Sequence, residues 1–538
     1  MLRELGYYTR MAWGLAQVVR APLPSNPREF IRTRLLQREN VFLEMARRTI
    51  FCDERHPYRR MFQLAGCEFG DLASQCSRDG LEPTLLALRR EGVYLSHDEW
   101  KGKVPIVRGG HEIPASTASF RNPWADGWLE SSSSGSSGRP VLTARSTAAL
   151  LQTSVYQMLR GQEFNPDGSA CWIDVKPILP APMGLSSVLR GKQCGTPIEK
   201  WFSAGSDFLD HGHYRTLTRA MVTLGNAFGA GAPYPSYLPY NDFSPVVEYV
   251  ARRRAEGRAC FVHGFASPLV RIAAAALDRG DCISGTNFLC GGESLTPAKR
   301  RVFERAGTRA FSSYTISEIG NIGSGCRQMP GSCVHVYADS IALIGFPRPS
   351  SDGGDAPINS LHFTTLAPHA PNLFINVEMD DHGVLETAAC DCVYSRLGFT
   401  RTISRISSFG KATPQGTTFH ATDLTDVIEE LLPARLGGGP GDYQLVECEA
   451  ATGQTQLRLY ASPRSGLTDA ARVREVFLEI MRPRWGGAVS TREWIHSAGV
   501  EAVIAEPVAA GDGKVHPVRL LGAYSGTADP ARTKVEHA

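Results

Sequence analysis

The chain has 538 residues, more than one ordinary domain holds and enough for two or three. Hydrophobic residues make up 42% and charged residues 21%, which excludes wholesale disorder, collagen-like repeats and a coiled coil. Lysine plus arginine number 57 against 54 acidic residues, and the resulting +3 is too small a bias for a dedicated nucleic-acid binder.

At the N-terminus Arg3, Glu4, Arg10 and Arg20 frame the apolar patch Met11 to Val19, which predicts an amphipathic helix ended at Ala21-Pro22. No apolar run approaches the roughly 20 residues that span a bilayer, so no membrane contact and a cytoplasmic location are expected. Residues 1–110 read as a mainly helical layer, with segments such as Pro83 to Gly92 closed by glycine. The stretch from Trp124 to Pro140 becomes dense in serine and glycine, and reads either as a linker or as a loop clamped between packed elements for ligand contact. Extended Val141 to Thr143 follows, then Leu151, Val155, Met158 and Leu159 at helical spacing.

From about 165 to 400 apolar runs alternate with helical patterns: Cys260 to Val262, Leu269 to Leu277, then Phe288 to Cys290. That rhythm predicts α/β layers. Thr296-Pro297 reads as an N-cap with proline at the first helical position before Ala298 to Arg305, and the extended run Ala310 to Tyr314 leads into a polar loop. Past residue 405, Gln444 to Glu449 and Gln456 to Tyr460 read as a hairpin around Thr452-Gly453. Val473, Val476, Phe477, Ile480 and Met481 mark one helix face, Val500 to Ala505 a last strand, and Arg435 to Gly441 a mobile turn. Together these outline a small α+β domain.

Ser131 to Pro140 offers backbone N–H groups, hydroxyls and Arg139, equipment for a polyphosphate, although the spacing is not that of a Walker A loop. Thirteen cysteines, an odd number with no secretory signal, favour reduced thiols or metal ligands. Cys326, His335, Cys390 and Cys392 supply four borderline-soft ligands that suit tetrahedral zinc, with Cys333 able to replace Cys326 or His335, or all remain buried free thiols.

The order of SSGSSGRP at 133–140, GGESL at 291–295, YTISE at 314–318, DDHGVL at 380–385, SRI at 404–406 and GDGKV at 511–515 resembles the adenylate-forming ligases over most of the chain. The run from Tyr314 to His335 followed by Cys390-Asp391-Cys392 is most similar to the phenylacetate-CoA ligase branch, in which comparable Cys/His positions occur. The resemblance implies an α/β fold with a large multi-layer adenylation domain (1–406) and a small mobile α+β domain (407–538) swinging about a hinge near Ser407-Ser408.

By the same resemblance Ser133, Ser134, Gly135, Ser136, Ser137, Gly138 and Arg139 would cradle the β- and γ-phosphates of ATP. Glu318 would hold Mg²⁺, a hard cation that favours carboxylate and phosphate oxygens. Gly291, Gly292, Tyr314 and Ser317 would line the nucleotide site around adenine, Asp381 would accept the ribose hydroxyls, and Arg405 would contact the nucleotide near the domain junction. Asp380 and Ser404 stand where the family has glycine; alternatively, Asp380-Asp381 is a solvated turn. Lys514 would be the adenylation lysine, with Lys411 the competing candidate, and Phe261, His263, Gly264 and Phe265 would wall the acid pocket.

The implied activity is that of an AMP-forming ligase. It activates a small, aromatic or aryl-alkyl acid as acyl-AMP with release of pyrophosphate, then transfers the acyl group to the thiol of CoA or a carrier protein. One alternative is ATP-dependent activation of nitrite to diazotise an aromatic amine; another is a nucleotide-binding homologue without turnover. A homodimer is a further implication of the resemblance.

Overall fold

The computed structural model describes residues 2–132, 142–204, 212–239, 242–292, 295, 297–329, 331–348, 358–408, 411–412, 419–420, 424, 427–439, 442–449, 455–482, 499–507 and 517–519. The N-terminal layer is helical as expected, beginning with Leu2–Arg20 and Pro27–Met45. Asn26 caps the second of these by accepting N–H bonds from Arg28 and Glu29, with proline at the first turn. Two hairpins follow, β1 (Ile106–Arg108) with β2 (His111–Ile113) and β3 (Leu129–Ser132) with β4 (Leu142–Arg145).

The strands of the main sheet are β5 (Cys171–Val175), β6 (Ile198–Ala204), β7 (Pro235–Leu238), β8 (Cys260–Phe265), β9 (Asn287–Gly291), β10 (Arg309–Ile316), β11 (Gly320–Ser324), β12 (Val334–Val336), β13 (Ile341–Arg348), β14 (Ile358–Thr365), β15 (Val377–Thr387) and β16 (Arg401–Ser408). They lie in the order β13-β14-β15-β16-β12-β11-β10-β9-β8-β5-β6-β7. From β7 to β10 every pairing is parallel; beyond β10 every pairing is antiparallel. The parallel half is apolar on both faces, as strands covered on both sides must be. On one face Trp172, Phe261, Leu289 and Phe311 pack with Met11, Leu150, Leu185 and Val222 from four helices. On the other, Ile173, Val262 and Phe288 meet the helices Ser244–Ala255, Ala266–Arg279 and Pro297–Arg305. The antiparallel half instead buries Leu343, Leu361, Phe363 and Val377 beneath Tyr58, Phe62, Leu72 and Leu85 of the N-terminal helices.

After the short pair β17 (Lys411–Ala412) and β18 (Phe419–His420), a second sheet runs β21-β20-β19-β22, comprising β19 (Tyr443–Glu449), β20 (Thr455–Ala461), β21 (Val500–Ile504) and β22 (Val518–Arg519). The expected hairpin is β19 against β20, and the expected helix face, Val473 to Met481, closes over it on Ala470–Met481. This core draws its residues from 424 to 518, including the partly buried side chains around it. Among the described residues no helix is long and apolar enough to cross a membrane.

Candidate active site

Ser133 to Arg139 and Lys514 lie outside the described residues, as do Glu293 and Ser294. Of the remaining nucleotide candidates, Gly291, Gly292, Tyr314, Ser317 and Glu318 gather where the sheet changes from parallel to antiparallel, Asp381 on β15 joins them through Tyr314, and Arg405 is on β16. Tyr314 is on β10, and β10 reverses into β11 through a tight turn that contains Ser317 and Glu318. Glu318 is only 7% exposed, so the carboxylate is held in the turn instead of solvated on a surface. Its Oε1 accepts from Lys101 Nζ at 3.1 Å, and its carbonyl accepts from Asn372 Nδ2 at 2.8 Å. Arg145, at the end of β4, is close enough to feel the same carboxylate; burial lowers the guanidinium and Glu318 opposes this.

The Tyr314 hydroxyl donates to Asp381 Oδ2 at 2.6 Å, joining two candidates that are far apart in sequence. Burial first, then the neighbouring carboxylate, pushes the phenol well above its ordinary range and keeps it a donor. Asp380 and Asp381 are buried within β15, which replaces the solvated-turn alternative. Asp380 has φ 63°, the left-handed conformation that the glycine of the family pattern adopts without cost and that aspartate tolerates better than most residues. Across the pair, His382 faces Ser407 and Val384 faces Ser404, so β16 bulges by one residue around Arg405, itself left-handed at φ 54° and exposed. Gly291 ends β9 between Phe265 of β8 and Ser313 of β10. Gly292, at φ 73°, lies so close that a Cβ would come within 2.6 Å of the Phe265 ring.

The four proposed wall residues divide. Phe261 is core, tilted against Trp172 and Phe164, and Gly264 packs on the Val175 carbonyl. His263 is different. Lys176 Nζ bonds His263 Nδ1 at 2.8 Å, Ser187 Oγ at 2.8 Å and Asp174 Oδ2 at 3.1 Å. Burial, then the positive charges of Lys176 and Arg160, drive the imidazole well below its ordinary pKa, so it is neutral.

The cysteine–histidine set closes into one site. Ligand atoms of Cys326, His335, Cys390 and Cys392 all lie within 4.8 Å of one another. Cys390 Sγ is 3.4 Å and Cys392 Sγ 3.3 Å from His335 Nε2, the two sulfurs are 3.5 Å apart, and Cys326 Sγ is 3.9 Å from Cys390 Sγ. A tetrahedral zinc with three thiolates and one imidazole has edges of roughly 3.4–3.8 Å, so the donor set fits. His335 Nδ1 donates to the Phe399 carbonyl at 2.8 Å, which leaves Nε2 for a metal. Cys333 is not in the set. Glu163 accepts from the backbone N–H of Arg327 and of Val393, both at 3.0 Å, and so clamps the two ligand segments from the helix Thr147–Phe164.

Sequence reading missed Lys101, a lone lysine 217 residues from its partner. It also missed the Asp174–Lys176 pair, for which the signal was present: two opposite charges one pleat repeat apart at the end of an apolar strand.

No family sequence profile and no curated protein matches the chain. Solved structures do match by fold. 2-Hydroxyisobutyryl-CoA ligase, solved with 2-HIB-AMP and CoA in the thioesterification state, aligns over 93% of this chain and 91% of its own at TM-score 0.50 and 16% identity. The same ligase with 2-HIB-AMP in the postadenylation state gives 94%, 91%, 0.41 and 16%. The amide bond synthetase Mcba from Marinactinospora thermotolerans gives 93%, 98%, 0.40 and 11%. The first of these shows that the chain has the fold of 2-hydroxyisobutyryl-CoA ligase, a fold in keeping with the one the motif order led us to expect.

Proposed function

We propose that this chain is an ATP-dependent, AMP-forming ligase that activates a small carboxylic acid of aromatic or aryl-alkyl type as acyl-AMP and passes it to a thiol of CoA or a carrier protein, in the manner of the phenylacetate-CoA ligases. The observation that carries the reading is Glu318: a buried carboxylate in the β10–β11 turn, four residues after a tyrosine locked to Asp381, on a fold whose compared ligase holds an acyl-AMP and CoA. In the first half-reaction a carboxylate oxygen bonds to the α-phosphorus, the bond to the bridging oxygen breaks, and pyrophosphate leaves. In the second the thiol sulfur bonds to the acyl carbon, AMP leaves and the thiol proton passes to solvent. AMP makes the acyl group transferable where a bare carboxylate oxygen would not leave.

Such an attack needs alignment and charge neutralisation more than covalent help. Glu318 would hold Mg²⁺, which when bound neutralises phosphate charge. Tyr314 fixes Asp381, the ribose acceptor, in one rotamer, and Gly291 and Gly292 leave room for the base. The segment 133–139 supplies phosphate N–H groups, and Lys514, carried by a small domain spanning 407–538, supplies an ammonium to the α-phosphate. The three cysteines and His335 bind a structural zinc, since four protein ligands leave no open position for chemistry.

Pyrophosphate release from Mg-ATP over a panel of aryl and alkyl acids, and over nitrite with aminoaryl acids, tests the reading on wild type and Lys514→Ala. Acid-dependent release that falls on the order of 100-fold or more in the variant is expected. Release that requires nitrite would replace acid activation by diazotisation, and ATP binding without release from any substrate would leave a non-catalytic homologue.

A further inference from the structure

The strand order of the parallel half reverses at one place. From β5 the chain adds β6 and β7 on one side, and β8, β9 and β10 then build outward on the other. Open parallel sheets bind ligands outside the carboxyl ends of the strands at such a reversal. The cluster around Lys176 is at that point, because β5 and β8 are neighbours and Asp174 pairs in register with His263 near their carboxyl ends. Along this face Trp172 and Phe261 form the aromatic core, and the next side chains outward are Asp174 and His263. The sheet turns polar at its rim.

At this rim the Lys176 ammonium is fully bonded, whereas Asp174 Oδ1 is buried without a hydrogen-bond partner among the described residues and lies 3.8 Å from His263 Nδ1. An ammonium has three N–H donors, and those of Lys176 go to Asp174, Ser187 and His263. With Nδ1 accepting, the proton of the neutral imidazole is on Nε2. Ser187 Oγ accepts from Lys176, so its own O–H is left to donate. Asp174 is 1% and Lys176 7% exposed, whereas His263 and Ser187 are half-buried, and no described residue partners His263 Nε2. An ion pair serving the core alone could be replaced by apolar side chains at little or no loss of stability. Here it instead fixes the tautomer of one side chain and the rotamer of another, and both are half-buried at the rim with a donor to spare.

We propose that His263 Nε2 and Ser187 Oγ form a donor subsite for an oxygen-bearing substituent of the acid, a hydroxyl, carbonyl or second carboxylate set away from the carboxylate that reacts. This rests on the acid-activating function proposed above and names its substrate class. Asp174 and Lys176 are positioning residues in this scheme, acting through His263 and Ser187. Phe265, the next residue outward on that face of β8, pairs with Gly291 and lies against Gly292 at the end of β9.

The test compares matched acids, benzoate with para-hydroxybenzoate and terephthalate, and phenylacetate with para-hydroxyphenylacetate and meta-hydroxyphenylacetate. Two readouts are taken on wild type, His263→Leu and Ser187→Ala: kcat/KM for pyrophosphate release, and calorimetric binding of the acids without ATP. Each is expressed as the ratio within a pair, which loss of folded protein does not move. Wild type is expected to favour an oxygen-bearing member on the order of 10- to 100-fold, because a donor left unpaired by the plain acid is penalised, and the ratio falls toward unity in His263→Leu and part-way in Ser187→Ala. Release from the acids without such a ratio, or with a ratio that both variants keep, overturns the subsite and leaves the ligase standing. A His263-dependent binding ratio without any pyrophosphate release keeps the subsite and overturns the ligase. Neither binding nor release overturns both.

Discussion

Lys101 and Glu318 face each other at 3.1 Å with side chains 7% and 9% exposed, so each neutralises a largely desolvated charge. Such a pair contributes little net stability over apolar replacements, yet removing one member leaves the charge of the other less well compensated, even with Arg145 near Glu318. Lys101→Met is therefore expected to lose about 3–5 kcal/mol of unfolding free energy, and Lys101→Met with Glu318→Gln to recover much of it. Urea titration of the single and double variants reads this coupling; losses that simply add would contradict it. The residue proposed to hold Mg²⁺ was visible in the sequence, since Y-x-x-S-E placed Glu318 among the candidates. Its partner was not visible, because Lys101 in Lys-Gly-Lys looks like any turn lysine until β10 and the N-terminal helices are brought together. Phe261 shows the converse: proximity in sequence grouped it with His263, while its neighbours across the strands make it core.

At the scale of elements, the Cys/His cluster joins the ends of β11 and β12, already paired at Ser324 and His335, to the segment before Val393–Leu397. Cys326 follows β11, His335 is on β12, and Cys390 and Cys392 precede the helix Val393–Leu397. Glu163 reaches them from another helix and receives one N–H from each side. Purified protein is expected to contain zinc, and Glu163→Ala to bind it 10–100-fold more weakly, about the effect of losing a group that orients metal ligands. Competition against a chromogenic chelator measures this; wild-type protein without zinc, or an unchanged affinity in the variant, would contradict the assignment. The ligands were legible because C-x-C and a Cys/His pair stand out in a chain of otherwise scattered thiols. Glu163 was not, since a glutamate near a helix end carries no mark of whose N–H groups it meets.

The whole molecule was more legible than its sites. The alternation from Cys260 to Tyr314 gave β8, β9 and β10 with the helices between them, because strands buried on both faces read as apolar runs. The antiparallel half was harder to read, as was the turn at 317–319, where β10 reverses directly into β11 and an open polar loop had been expected. Strand order is not written in local periodicity, so the reversal between β5 and β8, and with it the polar cluster at that point, emerged only from the fold. What the architecture brings close is the Asp174–Lys176–His263 cluster at the ends of the parallel strands and the Tyr314–Glu318 turn at the adjoining seam, and the proposed function assigns the acid to the first and the nucleotide to the second. The most direct measurement supplies an accepted acid with its carboxylate oxygens isotopically heavy and follows the label by mass spectrometry through one turnover with Mg-ATP and a thiol. One heavy oxygen in AMP is the result predicted, since the carboxylate oxygen that bonds to the α-phosphorus leaves with it; heavy oxygen in inorganic phosphate with formation of ADP, or unlabelled AMP, would contradict acid activation at the α-phosphate.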